Sequence, residues 1–305
     1  MNIVSLLPSA SEILGALGLA EQIVAVSHEC DYPAEVTTKR RITSSILGHG
    51  LGPGQIDDAV NEAVSQGQAL YQIDGDLLAR LKPDLIVTQG ICDVCAVGVG
   101  TIEAALKFLP DCLPPGTQTI TLSGTTFAGI LRDIRQVAQA AGVSARGDAL
   151  IAELRGRWQK LEATPKKAAP RVMVLEWSDP PFSAGHWVPE MVAAAGGVEV
   201  LGGAGELSRR VSWPDIADAD PDVLIMAACG YGLAENVKFA KELCAHAEAS
   251  RLRAVGAGQV YAVDANAYFS RPGPRVVRGA EVLGRLFRGE PSPEIVRVAP
   301  ATVSG

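Results

Sequence analysis

Two short segments concentrate the residue types that bind metals. VSHECDYP holds histidine, glutamate, cysteine and aspartate in succession, and TQGICDVCAV holds two cysteines spaced C-x-x-C. Both loops follow predicted strands and can meet at one sheet edge, and thiolate and imidazole groups are preferred ligands for zinc and other thiophilic ions. The candidate ligands are His28, Cys30, Cys92 and Cys95. Buried free thiols beside a hydrogen-bonded histidine are the alternative interpretation, and a redox-active dithiol is another.

Aromatic residues cluster in the second half of the chain, near the predicted strand ends. Since the chain has only 4 Trp, 5 Tyr and 6 Phe, their concentration in WSDPPFSAGHW, RRVSWPD and DANAYFSRPGPR is informative. Flat rings that line a concave site suit a flat ligand, although any one of them could pack in a core. The candidate aromatic contacts are Trp177, Phe182, Trp187, Trp213, Tyr268 and Phe269.

A candidate polar contact precedes the first predicted helix. Ser9 and Ser11 follow the strand IVSLL and lead into the helix SEILGALGLA. Free N–H groups at a helix N-terminus can hold an anionic or amide group of a ligand. Ser9 is therefore a candidate ligand contact, and capping of the helix is its alternative use.

The same order of elements occurs twice along the chain. The residues before Ser123 contain, in order, a strand, a helix, a second strand, an apolar run after a Pro-Asp pair and a final strand. The same order occurs again from Arg171 onward. Short strands rich in Val, Ile and Leu and separated by helices are typical of parallel sheets covered on both faces. We therefore predict an α/β fold with two parallel-sheet lobes. Ligands of such sheets bind at the carboxyl ends of the strands, where His28 and Glu29 stand.

An amphipathic pattern between the two halves predicts one long helix. Apolar residues recur at three- and four-residue steps from Val143 to Thr164, and charged residues fill the other faces. The proline-bounded segment TPKKAAP follows this pattern. We predict an N-terminal lobe at 1–142, a connecting helix at 143–164, a C-terminal lobe at 165–290 and a tail at 291–305. A surface helix within one large domain is the alternative.

Composition excludes several functional classes. The 305 residues are 48% hydrophobic and 20% charged, and no apolar run reaches the roughly 18 residues of a membrane-spanning helix. The net charge of -7 without a basic run argues against nucleic-acid binding. Because MNIVSLLPSAS lacks signal-peptide features and six cysteines suit a reducing compartment, we expect a cytoplasmic protein. Because the sequence has no heptad stripe, we expect a monomer. A periplasmic or surface-tethered protein whose leader has been removed is the alternative.

Motifs along nearly the whole chain resemble a known family. SLLPSASEILGALGL, VSHECDYP, LKPDLIVTQ, PPFSAGHW, VSWPDIADADPDVLI and NAYFSRPGPRVV keep their order from Ile3 to about Gly289. Together they resemble the cobalamin-binding members of the class III substrate-binding proteins of ABC transporters, whose relatives serve importers of cobalamin, haem and iron siderophores. The resemblance implies two α/β lobes joined by one rigid helix, with a corrinoid held in the cleft between them.

The resemblance also assigns ligand contacts residue by residue. By position, Phe182 and Trp213 look like the family's aromatic corrinoid contacts on the second lobe. Glu29 and Gln89 stand where the periplasmic cobalamin binder carries aromatic residues, so the ligand contacts of the first lobe differ from those of that protein.

Docking to a permease is the other property that the resemblance addresses. Periplasmic members present an acidic residue on each lobe to arginines of the membrane permease. The matching positions here hold Asp76 and Pro214, with Asp215 beside the latter. The HECDYP and CDVCAV segments are similar to a subgroup that lacks an export signal, for which binding of a corrinoid or tetrapyrrole in the cytoplasm is the expectation.

We therefore expect non-catalytic binding of a cobalamin-like corrinoid, for uptake or for intracellular handling. The sequence contains no Gly-rich phosphate loop, G-x-S-x-G elbow or H-E-x-x-H helix, which disfavours an enzyme. A haem or siderophore binder is the alternative within the family. The alternative from another class is a cytoplasmic thiol or metal-site protein, or an enzyme, that uses Cys92 and Cys95, since a fold does not determine a function.

Overall fold

The chain divides into two compact units. The structure, a computed structural model, describes residues 1–45, 59, 70–90, 113–165 and 169–298. Unit 1 comprises Met1–Gly124 and Ala128–Glu153, and unit 2 comprises Thr125–Phe127 and Leu154–Gly305.

The described residues form strands and helices that alternate along much of each unit. The strands are β1 (Ile3–Ser5), β2 (Ile23–Val26), β3 (Arg40–Arg41), β4 (Thr43–Ser45), β5 (Tyr71–Ile73), β6 (Leu85–Gln89), β7 (Gln118–Leu122), β8 (Arg171–Ser178), β9 (Pro181–Ser183), β10 (Val198–Glu199), β11 (Arg209–Arg210), β12 (Val223–Met226), β13 (Val260–Val263) and β14 (Ile295–Val298). The α-helices are α1 (Pro8–Ala16), α2 (Gly75–Leu81), α3 (Phe127–Ala140), α4 (Ser144–Glu162), α5 (Val188–Ala195), α6 (Trp213–Ala219), α7 (Leu233–Ala245), α8 (Arg253–Gly256), α9 (Ala265–Tyr268) and α10 (Val276–Phe287). Short 3₁₀ turns occupy Ala20–Gln22, Ala34–Val36 and Ala249–Arg251.

Unit 1 is built on a five-stranded sheet in which every described pairing is parallel. The strand order is β3-β2-β1-β6-β7. Ile3 and Val4 of β1 and Val87 of β6 are fully buried because helices cover both faces of a parallel sheet. β4 and β5 form a separate antiparallel pair that places Ser45 opposite Tyr71.

Unit 2 is built on a seven-stranded mixed sheet. The strand order is β11-β9-β8-β12-β13-β14, and β10 also pairs with β8. The central pairs β8–β12 and β12–β13 are parallel, whereas β9, β11 and β14 run antiparallel to their neighbours. The predicted α/β fold with parallel-sheet lobes is thus confirmed, and the antiparallel edges are additions that the sequence analysis did not predict.

A tight turn at Asp179 and Pro180 accounts for one of those edges. Aspartate and proline both favour turns, so the chain reverses after β8 and returns as β9. As a result Phe182, which the sequence analysis placed near a predicted strand end, lies within β9. It pairs with Arg210 of β11 on one side.

The long helix α4 begins at Ser144 and ends at Glu162, inside the segment predicted from the amphipathic pattern. The boundary between the two units falls within it, after Glu153. Trp158, on its apolar face, is 7% exposed and stacks on Phe127 with ring centroids 4.0 Å apart. The domain boundaries at 142, 164 and 290 stay predictions, and the tail is described as far as Val298.

Candidate functional site

The carboxyl ends of the unit 1 strands bring several predicted contacts to one edge. Ser27 N donates to Ser5 O over 2.8 Å, and Leu6 N donates to Val87 O over 2.9 Å, so the segments after β1, β2 and β6 leave the sheet side by side. Ser9, His28 and Glu29 follow directly, and Gln89 is the last residue of β6. In parallel α/β sheets this edge is where ligands bind.

The first helix leaves its N-terminal N–H groups without a side-chain cap. Leu7 is the N-cap residue of α1 and provides no capping oxygen, and Pro8 occupies the first turn. Ser9 is 1% exposed, and its hydroxyl has no hydrogen-bond partner among the described residues. A buried hydroxyl without a partner is costly, which favours a ligand group as the missing partner over the capping role.

His28 is positioned by a network of hydroxyl groups. Its backbone N–H donates to Thr43 Oγ1 over 3.0 Å, and its ring Nδ1 lies 2.7 Å from the same oxygen. The other ring nitrogen, Nε2, lies 3.2 Å from a carboxylate oxygen of Glu29. The ring of Tyr71 lies beside the imidazole, with centroids 5.6 Å apart.

Cys30 is buried at the end of a second hydroxyl network. The hydroxyls of Ser5 and Ser11 lie 2.8 Å apart, and Ser11 donates to the Cys30 sulfur over 3.2 Å. The Cys30 side chain is fully buried, and no disulfide joins it to another described cysteine. Ser11 therefore bonds to Cys30 and Ser5 and does not cap the helix.

The metal prediction involves residues outside the described part of the chain. Cys92 and Cys95 lie there, so their distances to His28 and Cys30 are not described. Within the described ranges, no group of three or more His, Cys, Asp or Glu side chains could hold a metal ion. The zinc site stays a prediction.

Unit 2 also presents aromatic rings where its parallel strands end. Trp177 lies near the end of β8, and Tyr231 follows β12; the two rings meet edge to face with centroids 6.0 Å apart. Tyr231 meets Phe239 of α7 in the same way at 5.0 Å. Sequence analysis did not single out Tyr231, although its place just after an apolar run was the available signal.

A fully buried asparagine holds the loop that carries Tyr231. Asn236 accepts from Ala228 N over 2.7 Å and donates to the carbonyl oxygens of Tyr231 and Gly232, each over 3.0 Å. These three bonds close the turn between β12 and α7. The aromatic ring thus sits on a rigid support.

Phe182 contacts a basic side chain, and Trp213 contacts an aromatic ring. The guanidinium of Arg210 lies 5.8 Å from the centre of the Phe182 ring. Trp213, the first residue of α6, stacks on His246 with centroids 4.9 Å apart. Both aromatic residues are half-buried, so part of each ring remains accessible.

Of the other three aromatic candidates, Trp187 and Phe269 are buried and Tyr268 is not. Trp187 is 6% exposed and donates its indole N–H to Phe269 O over 2.8 Å, and Phe269 is 3% exposed. This burial is what core packing produces. Tyr268 is half-buried, with Arg275 5.9 Å from its ring centre, and burial raises the pKa of its hydroxyl.

Sequence analysis overlooked a buried arginine in the same segment. Arg271 is 7% exposed and donates to Asn266 Oδ1 over 2.7 Å. A guanidinium is seldom buried, so its place in SRPGPR after β13 marks a candidate contact for a polar or anionic ligand group.

The two candidate docking residues sit at helix starts. Asp76 is in the first turn of α2, after the N-cap Asp74. The Asp215 carboxylate accepts from the hydroxyl and backbone N–H of Ser212 over 2.7 and 2.9 Å in a capping box. The Ser212 hydroxyl hydrogen bond lowers the pKa of Asp215, so this carboxylate is already used within its own helix.

Comparison with known proteins identifies the family. The periplasmic binding protein family matches residues 3–267. The chain belongs to that family. Within the described residues, no helix of this family member is both long and apolar enough to cross a membrane.

Individual relatives are distant but extend over most of the chain. An uncharacterized ABC transporter substrate-binding lipoprotein of Bacillus subtilis, YvrC, is 24% identical and covers 92% of this chain and 78% of its own. The vitamin B12-binding protein of Vibrio cholerae is 23% identical, with coverage of 92% and 86%. The periplasmic heme-binding protein RhuT from Roseiflexus sp. RS-1 has a similar structure, with a TM-score of 0.69, 23% identity and coverage of 94% and 98%.

Proposed function

We propose that this family member binds a corrinoid such as cobalamin and does not transform it. The observation that carries the proposal is the match to the vitamin B12-binding protein of Vibrio cholerae over 92% of the chain. A match of that extent covers the carboxyl edges of both sheets and is not limited to one motif.

The side chains at those edges suit a large, flat ligand. In unit 2, Trp177 and Tyr231 offer apolar ring surface. In unit 1, the buried hydroxyl of Ser9 has no hydrogen-bond partner among the described residues. A corrin presents apolar faces, which suit aromatic surface, and a rim of amides, which suits polar partners. Ligand selectivity would depend on the polar partners, since apolar contacts discriminate weakly.

The visible absorption spectrum of the purified full chain tests the proposal. We expect hydroxocobalamin mixed with the protein to remain with it through desalting at near one-to-one stoichiometry. Zinc and iron are counted in the same sample. If no corrinoid is retained and a stoichiometric metal is found, the corrinoid proposal fails and the Cys92 and Cys95 segment becomes the site to study.

Haem is the second candidate ligand, and Arg271 is the observation that favours it. A buried guanidinium suits the carboxylates of haem better than the neutral amides of cobalamin. Titration with haemin, alone and in the presence of hydroxocobalamin, distinguishes the two ligands. Haemin that binds and is not displaced by excess hydroxocobalamin would favour haem.

We also propose that the protein handles its ligand inside the cell. The six cysteines of the sequence, two of them spaced C-x-x-C, suit a reducing compartment better than a disulfide framework in so large a chain. Delivery to an ABC permease is the alternative, which the similarity to the Bacillus subtilis lipoprotein supports. In that case Asp76 is the better docking candidate, because the Asp215 carboxylate caps its own helix.

A further inference from the structure

A turn at residues 27–30 follows β2 at the carboxyl edge of the unit 1 sheet and carries two candidate ligand contacts, His28 and Glu29. Cys30 N donates to Ser27 O over 3.1 Å, which closes the turn. Glu29 N donates to the Ser27 hydroxyl over 3.2 Å. The conformation of this turn therefore determines where both candidate side chains lie.

Arg41, in the neighbouring strand β3, holds both ends of the turn. Its Nη1 donates to Ser27 O over 3.0 Å and to Cys30 O over 2.6 Å. Arg41 reaches both carbonyl oxygens because it is in register with Val26, the last residue of β2. Hydrogen bonds from a charged donor are stronger than those between neutral groups, so one nitrogen that bridges the two ends limits their separation.

Thr43 holds the middle of the turn from the same segment of the chain. His28 N donates to Thr43 Oγ1 over 3.0 Å, and the Thr43 hydroxyl donates to Ser27 Oγ over 3.3 Å. Thr43 and Ser27 are buried, whereas Arg41 is exposed. Replacement of Arg41 therefore opens no cavity in the core, and its effect on the turn can be measured in a folded protein.

We propose that Arg41 is the positioning residue that prepares the turn at 27–30 for ligand binding, an inference that rests on the proposed corrinoid-binding function. A turn that is already in place presents His28 and Glu29 in one orientation, so the ligand does not have to order it. Without the bridge from Arg41, other conformations of the turn become populated. The apparent affinity then falls in proportion to the fraction of molecules that keep the competent conformation.

Equilibrium dialysis of the full chain against hydroxocobalamin tests the inference with the variant Arg41→Gln. Glutamine is shorter than arginine and carries no charge, so the bridge between the two carbonyl oxygens is lost. If about a tenth of the molecules keep the competent turn, the Kd rises about tenfold. Arg41→Lys keeps the charge and should weaken binding less. Arg40→Gln removes the same charge from the exposed neighbour in β3 and should leave the Kd unchanged.

Hydrogen exchange of the free protein provides a readout that a general loss of stability would not move. We expect the amides of residues 28–30 to exchange faster in Arg41→Gln than in the wild type, because the turn opens more often. Bound hydroxocobalamin should restore their protection. Peptides from β1 and β6 should exchange at the same rate in both proteins.

The variant Thr117→Val is the matched control for stability. The Thr117 hydroxyl donates to Pro83 O over 2.7 Å at the amino edge of the same sheet, away from the turn at 27–30. The variant therefore loses a hydrogen bond to a backbone carbonyl of unit 1, as Arg41→Gln does. We expect a lower free energy of unfolding, with the Kd and the exchange of the turn unchanged.

The outcomes separate this inference from the function on which it rests. If Arg41→Gln leaves the exchange of the turn unchanged, or accelerates it while the Kd equals that of the wild type, the positioning role is wrong and corrinoid binding stands. An equal loss of affinity in Thr117→Val would also contradict that role. If the wild type retains no hydroxocobalamin, the corrinoid proposal and the ligand role of Arg41 are both overturned.

Discussion

At the scale of single residues, buried polar side chains do much of the local positioning. Asn236 closes the turn before α7, and the Asp133 carboxylate accepts from Ser123 N and Gly124 N over 3.1 and 2.8 Å. Each side chain satisfies backbone groups that would otherwise be buried without partners. Burial raises the pKa of Asp133, and the two backbone hydrogen bonds oppose that effect.

Replacing Asn236 with alanine should destabilise unit 2. The change leaves Ala228 N without its partner in a buried turn, whereas the carbonyl oxygens of Tyr231 and Gly232 each lose one hydrogen bond and keep one from a backbone N–H. We expect it to lower the free energy of unfolding by about 1–3 kcal/mol. Urea unfolding followed by circular dichroism measures it. Lys238→Ala, at an exposed position of the same helix, is the control and should change the value by less than about 0.5 kcal/mol. Equal effects from the two variants would contradict the role of Asn236.

Glu199 makes stability depend on pH. Burial of its carboxyl group raises the pKa to about 7. Four backbone N–H groups donate to the carboxylate and oppose that effect; they belong to Val174, Val200, Leu201 and Gly202. Because the folded pKa lies above the unfolded value of about 4.3, the folded state holds the proton more tightly. The free energy of unfolding therefore falls as pH rises from the unfolded value through the folded one.

Comparison of the wild type with Glu199→Gln isolates this contribution. Each unit of pKa difference corresponds to about 1.4 kcal/mol of folding free energy, and partial exposure of Glu199 reduces the effect. We therefore expect the free energy of unfolding to fall by about 1–2 kcal/mol more in the wild type than in the variant between pH 5 and pH 8. Urea unfolding at both pH values measures the difference. Glutamine lacks one acceptor oxygen, so the variant starts lower at pH 5, and the pH slope is the relevant quantity. Equal slopes in the two proteins would show that Glu199 does not titrate in this range.

At the scale of elements, helix α4 shows how one sequence pattern serves two environments. Its N-terminal part packs in unit 1, where Gly147 faces Ala138 of α3, and its C-terminal part belongs to unit 2. There Arg157 binds Glu281 of α10 through two hydrogen bonds of 2.9 and 3.0 Å. The amphipathic pattern predicts the helix, but it does not say which neighbours each turn meets.

Two glycines of α4 should respond in opposite directions to substitution by alanine. A methyl group at Gly147 would lie 2.4 Å from Ala138 Cβ, so two helices must separate, at a cost of about 1–3 kcal/mol. Gly156 is exposed and has no atom within 4 Å of the new methyl group, so Gly156→Ala should raise the free energy of unfolding by about 0.5–1 kcal/mol. Denaturant unfolding of both variants measures the pair. A stabilising Gly147→Ala would contradict the close helix contact.

At the scale of the whole molecule, the cysteines bear on the cellular compartment in which the protein works. Of the six cysteines in the chain, Cys30, Cys229 and Cys244 lie within the described residues, and no disulfide joins any two of them. A chain of this size buries enough apolar surface in two units to dispense with disulfides. This supports the proposal that the protein works in a reducing environment.

Alkylation of the protein taken from its own cells tests that proposal. Cells are lysed directly into denaturant with an alkylating reagent and no reductant, and the intact mass is measured. We expect six alkyl groups per chain, one for each cysteine. A mass that corresponds to four or two groups would reveal disulfides and contradict a reducing compartment. A second sample reduced before alkylation shows how many thiols the reagent can reach.

The sequence by itself determined the repeated α/β plan, the long helix and the family. Apolar periodicity, proline and glycine positions and short motifs are local features, so they can be recognised without coordinates. Helix α4 begins and ends within the segment that its pattern predicts, and Gly196, with φ of 102°, follows the last residue of α5. The antiparallel pairings of β9 with β11 and of β13 with β14 could not be predicted from the sequence, because they join strands distant in the chain. The pairing of β8 with β9 is local, and Asp179 and Pro180 were the available signal.

Only the tertiary structure decided what each candidate side chain contacts. Trp187 and Trp213 look alike as tryptophans near strand ends, yet Trp187 donates to Phe269 O inside a core, whereas Trp213 stacks on His246 and keeps part of its surface accessible. The sequence places His28 beside acidic and thiol neighbours, and only the fold brings Thr43 Oγ1 within 2.7 Å of its Nδ1. Contacts between residues far apart in the chain select the burial and the orientation of a side chain, and these decide its chemistry.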